Sequence, residues 1–216
     1  FDLRKTNIIP EYISILKERF SGENLHYYYE AKYKYSEGEL DAAIKLFHAS
    51  IEKKPNFSPA YIMLSFVYAE CLKDYDNAIK FGEIANNKFR ANVAIVNNLA
   101  YAYLMKNEVS KAGSVLQEVL ENKNKNFCLI ATIGLLRIKE GDIQEGSSLY
   151  NLASKIAPTE YFKKVVLQKK NLELAKYYLD NGDERRAKEL LIKAVSMKQS
   201  DTFYYEYAKE LLSKID

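Results

Sequence analysis

The residue types that most often bind metals or carry redox chemistry are sparse in this chain. His26 and His48 have no other potential ligand at a spacing typical of a metal site. Cys71 and Cys128 are the two cysteines, and they lie too far apart in the sequence for a metal or redox motif. We therefore expect no metal and no cofactor.

Acidic pairs are the next residues that could act chemically, since two carboxylates can share general acid and base roles. Glu37/Glu39 and Asp74/Asp76 are such pairs, but both lie at predicted turns, where helix capping accounts for acidic side chains. The sequence has no glycine-rich phosphate loop and no serine nucleophile elbow. These observations predict that the protein is not an enzyme.

A basic run in the last third of the chain could in principle bind nucleic acid. It comprises Lys163, Lys164, Lys169 and Lys170, with Glu160 and Glu173 on either side. Helical spacing spreads the four lysines around part of one helix, and the formal net charge of the chain is only +3. We therefore expect a solvated helix face and no nucleic-acid partner.

Signals for membrane insertion and export are also absent from the sequence. No apolar run approaches the roughly 18 to 20 residues that a membrane-spanning helix needs, so we expect no membrane span. No signal-peptide pattern follows Phe1, and we expect the sequence to be part of a longer chain. Two cysteines do not separate a cytoplasmic from an exported protein, so the compartment is not predicted.

Small residues recur at a nearly constant interval and define the elements of the chain. One series has steps of 34, 35, 34 and 41 residues and consists of Ala31, Ser65, Ala100, Gly134 and Ala175. A second series has steps of 35, 34, 34 and 41 and consists of Ala43, Ala78, Ala112, Gly146 and Ala187. Two series in step indicate a repeated pair of helices, and this period is typical of a solenoid. Small residues suit the point where two helices meet, because overpacking such a contact costs about 1–3 kcal/mol.

Turn residues separate the two helices of every copy. They are Glu37-Gly38, Lys73-Asp74, Lys106-Asn107, Gly141-Asp142 and Asn181-Gly182-Asp183. The second copy has one extra residue between Ser65 and Ala78, which we place in the turn because insertions are tolerated best there. The fifth copy has seven extra residues after Pro158, equal to two helical turns, so its first helix is predicted to begin early, near Thr159.

The apolar residues around the small ones resemble the tetratricopeptide repeat, a helix–turn–helix unit of about 34 residues. The third copy carries the pattern in Val96, Leu99, Ala100, Tyr103, Ala112, Leu116 and Val119. The fourth carries it in Ile130, Ile133, Gly134, Gly146, Tyr150, Ala153 and Pro158. The departures include Glu30, Lys34, Gly82, Arg90, Asn124 and Gln199.

The resemblance implies an all-α fold, a right-handed α-solenoid of about five such units with a capping helix at each end and twelve helices in all. The implied segments are an N-terminal cap over 1–23, repeats over 24–57, 58–92, 93–126, 127–158 and 159–200, and a C-terminal cap over 201–216. The first cap is predicted to begin at Pro10, and Ser200-Asp201 is predicted to cap the last helix.

In this family, the residues at certain fixed positions on the first helix of each unit line a concave groove. Carried over residue by residue, the implied groove residues are Tyr28, Lys32, Ile62, Phe66, Asn97, Tyr101, Leu104, Met105, Leu135, Ile138 and Lys139. They imply an apolar and aromatic inner wall with lysine towards both ends, in which Asn97 could hydrogen-bond a ligand backbone. Some members bind a carboxylate through a clamp, but only Lys32 of the matching positions could do so here, and we do not expect a clamp.

These features predict a non-enzymatic scaffold that binds a peptide or helix of a partner protein in the groove. One alternative is a structural or oligomerisation module, with a homo-oligomer formed through the caps and the extended helix and a groove filled internally. Another is a ligand-sensing regulatory domain of a larger protein. Tyr101→Glu separates the first two, since an internally filled groove predicts a loss of stability.

Overall fold

The computed structural model describes residues 8–20, 23–120, 126–197 and 203–215. Within these ranges the chain forms twelve α-helices and one π-helix and contains no strand, which confirms the predicted all-α class. The helices are α1 (Ile8–Arg19), α2 (Leu25–Ser36), α3 (Leu40–Lys53), α4 (Ser58–Phe66), the π-helix (Val67–Leu72), α5 (Tyr75–Lys88), α6 (Val93–Met105), α7 (Val109–Gln117), α8 (Phe127–Lys139), α9 (Ile143–Ile156), α10 (Glu160–Asp180), α11 (Glu184–Ser196) and α12 (Phe203–Leu212).

The chain divides into two compact units, residues 1–102 (unit 1) and 103–216 (unit 2), and the division falls within α6. In unit 1 each helix from α1 to α5 packs against the next one along the chain. In unit 2 the helices from α7 to α12 do the same. The predicted segment boundaries remain a prediction.

The small residues lie at helix–helix contacts, as their spacing predicts. All ten are buried. In the second copy the Ser65 hydroxyl donates a hydrogen bond to the Ala78 carbonyl oxygen at 3.2 Å, which joins the two series directly. Gly82, a departure from the family pattern, also has a packing reason, because a Cβ added there would lie 3.0 Å from Leu99 Cδ1.

All five predicted turns are present, and each contains one residue in the left-handed region of backbone conformation. The φ angles are 81° at Gly38, 58° at Lys73, 62° at Asn107, 91° at Gly141 and 78° at Gly182. Aspartate follows three of these residues and caps the next helix, since Asp74, Asp142 and Asp183 accept hydrogen bonds from backbone N–H groups three residues later.

The structure corrects the position of the extra residue in the second copy. The left-handed residue follows the small residue by eight positions in this copy, Ser65 to Lys73, and by seven in the first, Ala31 to Gly38. The turn itself has the same length in both, because Asp74 and Glu39 come directly after the left-handed residue. The extra residue therefore lies in the preceding helix, which becomes the π-helix there.

The helices at the ends largely follow the predictions. Helix α1 begins at Ile8, two residues before the predicted Pro10, and Pro10 is tolerated because it lies in the first turn. Helix α10 begins at Glu160, and the Thr159 hydroxyl caps it by accepting a hydrogen bond from the Phe162 backbone N–H at 3.3 Å. The predicted cap Ser200-Asp201 lies outside the described residues.

Candidate functional site

Four of the predicted groove residues are buried within the chain. Tyr101 and Ile138 are 4% and 3% exposed, and Leu104 and Leu135 are fully buried. The structure thus corrects the predicted open wall at these positions, because side chains with so little exposed surface offer almost no contact area to a partner. The cause is the composition of two helices, since α6 has no charged residue and α8 has none before Arg137. A helix that is apolar on every face is normally buried.

The other seven predicted groove residues are partly exposed. They are Tyr28, Lys32, Ile62, Phe66 and Asn97 in unit 1 and Met105 and Lys139 in unit 2. The larger part of the candidate surface therefore lies in unit 1, on α2 and α4.

Four half-buried aromatic rings and a lysine form what we call the unit 1 aromatic surface: Tyr28, Lys32, Tyr35, Phe57 and Phe66. Tyr28, Lys32 and Tyr35 are spaced four and three residues apart, so they share one face of α2. The Tyr28 ring contacts Phe57 edge-on at 5.1 Å between centroids, and Tyr35 contacts Phe66 in the same way at 6.1 Å. Seven residues separate the two tyrosines, which places the two aromatic pairs about 10 Å apart along α2.

Lys32 is the charged group of this surface. Its Nζ atom lies 5.8 Å from the centroid of the Tyr28 ring, within range of a cation–π contact. In the part of the chain that the structure describes, no carboxylate pairs with Lys32. Burial, and secondarily Tyr29, raise the pKa of the Tyr28 hydroxyl above 10.0, so this ring stays neutral at physiological pH.

The two asparagines next to this surface hydrogen-bond within the chain. The Asn98 amide nitrogen donates to the Ile62 carbonyl oxygen at 3.1 Å, which ties α6 to α4. The Asn97 amide nitrogen donates to Asn98 Oδ1 at 3.4 Å. Asn97, which was predicted to bind a ligand backbone, is thus already engaged by its neighbour.

A shallow cleft of about 330 Å³ lies between α1 and α2, on another face of unit 1. Its lining includes Lys17 and Lys34, together with Glu30 and Tyr33. Lys17 pairs with Glu30 and Lys34 with Glu39, each at 2.9 Å. Both lysines of the cleft are therefore already paired with carboxylates of the chain.

In unit 2 three of the four lysines of the basic run have partners within the chain. Lys163 forms an ion pair with Glu160, and the Lys170 ammonium donates to Asn151 Oδ1 at 2.9 Å. Lys169 lies 5.3 Å from the Tyr204 ring centroid. Burial, and secondarily the nearby positive charge of Lys193, lower the pKa of Lys170. The absence of a nucleic-acid partner remains a prediction.

The potential chemical residues are scattered in the structure. His26 is buried, and the His48 ring contacts Phe81 at 5.0 Å between centroids. Cys71 and Cys128 are not joined in a disulfide. Across residues 8–20, 23–120, 126–197 and 203–215, no three His, Cys, Asp or Glu side chains come together as a metal site, and no helix is long and apolar enough to span a bilayer.

Comparison with known proteins identifies the fold. Residues 171–201 match the tetratricopeptide repeat family, and no curated protein matches the sequence. A chain of the APC/C hetero-tetramer Cut9–Hcn1 is similar in structure, with a TM-score of 0.75 and 16% identity over 98% of this chain and 39% of that one. The present chain thus spans well under half of the length of that protein.

Two smaller proteins match over nearly their whole length. The tetratricopeptide-repeat protein TTC0263 of Thermus thermophilus has a TM-score of 0.64 and 17% identity, covering 89% of this chain and 98% of that one. YrrB, described as a tetratricopeptide-repeat protein with an unusual peptide-binding site, has a TM-score of 0.55 and 20% identity, covering 92% and 97%. At these identities the similarity defines the fold alone. This chain therefore has the fold of the tetratricopeptide-repeat proteins, as its small-residue series predicts, and its residues 171–201 match that repeat in sequence.

Proposed function

We propose that this protein is a non-enzymatic scaffold that binds a peptide segment of a partner protein on the unit 1 aromatic surface. The fold supports the general role, because tetratricopeptide-repeat proteins bind protein partners. The proposed location rests on two contacts between half-buried aromatic rings, Tyr28–Phe57 and Tyr35–Phe66. Lys32 lies between them on α2.

The geometry of this surface defines the kind of peptide. Aromatic side chains supply large contact areas at little entropic cost and are enriched among residues that dominate binding energy. Two aromatic pairs about 10 Å apart match apolar side chains three residues apart in a polyproline II peptide, which has three residues per turn and rises about 3.1 Å per residue. Lys32 lies between the pairs and favours an acidic group at the middle of the peptide.

Selection from a random peptide library on the wild-type protein tests the proposal. We expect the selected peptides to have two apolar side chains flanking an acidic residue. Lys32→Glu should weaken the binding of these peptides about tenfold, which corresponds to about 1.4 kcal/mol. The matched control is Lys45→Glu, because Lys45 is an exposed lysine on α3 in the same unit. Equal losses in the two variants, or no selected peptide at all, would refute the proposal.

A self-association role is favoured by a different observation. Tyr161 and Phe162 are 49% and 41% exposed at the start of α10, in the stretch that extends this helix beyond the usual repeat length. Exposed aromatic side chains of this size suit a contact between copies of the chain. Light scattering over a hundredfold range of protein concentration tests this role, with Tyr161→Ser/Phe162→Ser as the comparison. A monomer at every concentration would exclude it.

A further inference from the structure

The π-helix of the second repeat is the one irregular helix among the described residues. In four of the repeats the turn closes with a backbone hydrogen bond to the carbonyl five residues back, from Glu39 to Lys34, Glu108 to Tyr103, Asp142 to Arg137 and Asp183 to Tyr178. In the second repeat the Asp74 backbone N–H instead donates to the carbonyl of Tyr68, six residues back, at 2.9 Å. The extra residue is thus absorbed by a widened helical turn.

The widened turn keeps the second half of the repeat in register. One more residue in a continuous α-helix would rotate everything after it by about 100°. The wider π-helical ring takes up this rotation, so that Asp74 still caps α5 and Ser65 still reaches Ala78. The stretch between Phe66 and Lys73 therefore contains one more side chain than the same stretch of the other repeats, with no change to the core contact.

The π-helix adjoins the unit 1 aromatic surface. Phe66 is the residue directly before the π-helix, and Cys71 within it lies in hydrogen-bonding contact with Tyr35. Tyr35 in turn contacts Phe66 at 6.1 Å. The side chains of the π-helix thus support one of the two aromatic pairs proposed to bind peptide, and the Tyr28–Phe57 pair has no such support from it.

The local conformation is strained and is held by side-chain contacts. Lys73 is in the left-handed region at φ 58°, where three of the five repeats have glycine. Its ammonium donates to the Glu70 carbonyl oxygen at 2.6 Å and pairs with the Glu70 carboxylate at 3.6 Å. Short π-helical turns are less favourable than α-helix and occur frequently at functional sites.

We propose that this π-helix is the specificity-determining element of the unit 1 aromatic surface. By inserting Cys71 beside Tyr35, it fixes the Tyr35–Phe66 pair in the arrangement that receives one apolar side chain of the peptide. The inference rests on the proposed function. It assigns a role to the extra residue of the second repeat, which the other four repeats do without.

Deletion of Leu72, an exposed residue at the end of the π-helix, tests this inference. The shortened segment has the same length as the other four repeats and should close its turn with the five-residue bond. We expect the variant to fold with an unchanged or higher thermal midpoint and to bind the peptides selected on the wild-type protein at least tenfold more weakly. A new selection on the variant should return different apolar residues at the position nearest Tyr35.

The matched control is deletion of Asp180, the exposed last residue of α10, whose repeat has no extra residue in this segment. This deletion should lower the thermal midpoint. Failure of the Leu72 deletion to fold would overturn the inference, and so would unchanged peptide affinity. Suppose that peptides are selected on the wild-type protein and that Lys32→Glu weakens their binding. If the Leu72 deletion leaves their binding unchanged, only this inference fails. If wild type selects none, the proposed function fails and the inference fails with it.

Discussion

Gly134 and Gly146 bring the backbones of α8 and α9 into direct contact. A Cβ atom added to Gly146 would lie 2.8 Å from the Gly134 carbonyl oxygen and 2.6 Å from Ile138 Cγ1. Real Cβ atoms do not approach other atoms this closely, so the two helices could not keep their separation with any larger residue. The fourth repeat is thus the extreme case of the small-residue contact that recurs along the chain.

We predict that Gly146→Ala lowers the free energy of unfolding by about 1–2 kcal/mol. Overpacking costs about 1–3 kcal/mol, and the higher helix propensity of alanine returns part of it. Gly113→Ala is the control, because a Cβ at this glycine in α7 would lie 4.0 Å from its nearest neighbour. That change should stabilise the protein by about 0.5–1 kcal/mol. Denaturant unfolding of both variants gives the comparison, and a Gly146→Ala variant as stable as Gly113→Ala would contradict the prediction.

Backbone strain can be separated from packing at Gly141. Its φ angle is 91°, and an added Cβ would meet no atom within 4 Å. Gly141→Ala should therefore lower stability by about 1–2 kcal/mol through conformation alone. Gly141→Asn should lose less, since Asn107 occupies the equivalent turn position at φ 62°. Equal thermal midpoints for wild type and Gly141→Ala would show that the turn adopts another conformation.

The regular features of the fold could be predicted from the sequence because they depend on local patterns. Small residues mark helix contacts, and glycine or asparagine marks the left-handed residue in four of the five turns within repeats, with Lys73 in the fifth. The π-helix could not be located, because no residue type favours it and a one-residue insertion between Ser65 and Ala78 fits a turn equally well. Its position depends on the packing of Ser65 against Ala78, which is a tertiary contact.

The sequence predicted less well which of the groove residues are exposed, and the reason is different. A repeat position shows which way a side chain points in an isolated unit, and other elements decide whether it is covered. One signal in the sequence could have shown this difference. Helix α2 carries Glu30, Lys32 and Lys34 and keeps Tyr28 partly exposed, whereas α6 has no charged residue and buries Tyr101.

We predict that Tyr101→Glu destabilises the fold by at least about 3 kcal/mol, because it places a carboxylate where only 4% of the tyrosine is exposed. Ile84→Glu is the control, since Ile84 is 38% exposed on α5 and this change should stay within about 0.5 kcal/mol. Thermal unfolding followed by circular dichroism measures both. A Tyr101→Glu variant with the wild-type midpoint would show that this side chain is not buried in solution. For this reason Lys32, and not Tyr101, is the suitable position for binding tests.

The stability of unit 1 should depend on pH through His48, whose ring contacts Phe81 on α5. Burial lowers the pKa of His48 below 6.5, nearby Lys80 acts in the same direction, and Glu52 opposes them. The unfolded chain therefore binds a proton more readily than the folded one, so this stabilising contribution is complete above pH 6.5 and is lost as the pH falls through the folded pKa. Carboxylates titrate as well, so the informative quantity is the difference in thermal midpoint between wild type and His48→Gln. We expect wild type to lose stability relative to the variant as the pH falls from about 6.5 through the folded pKa of His48. A difference that stays constant over this range would show that His48 titrates alike in the folded and unfolded states.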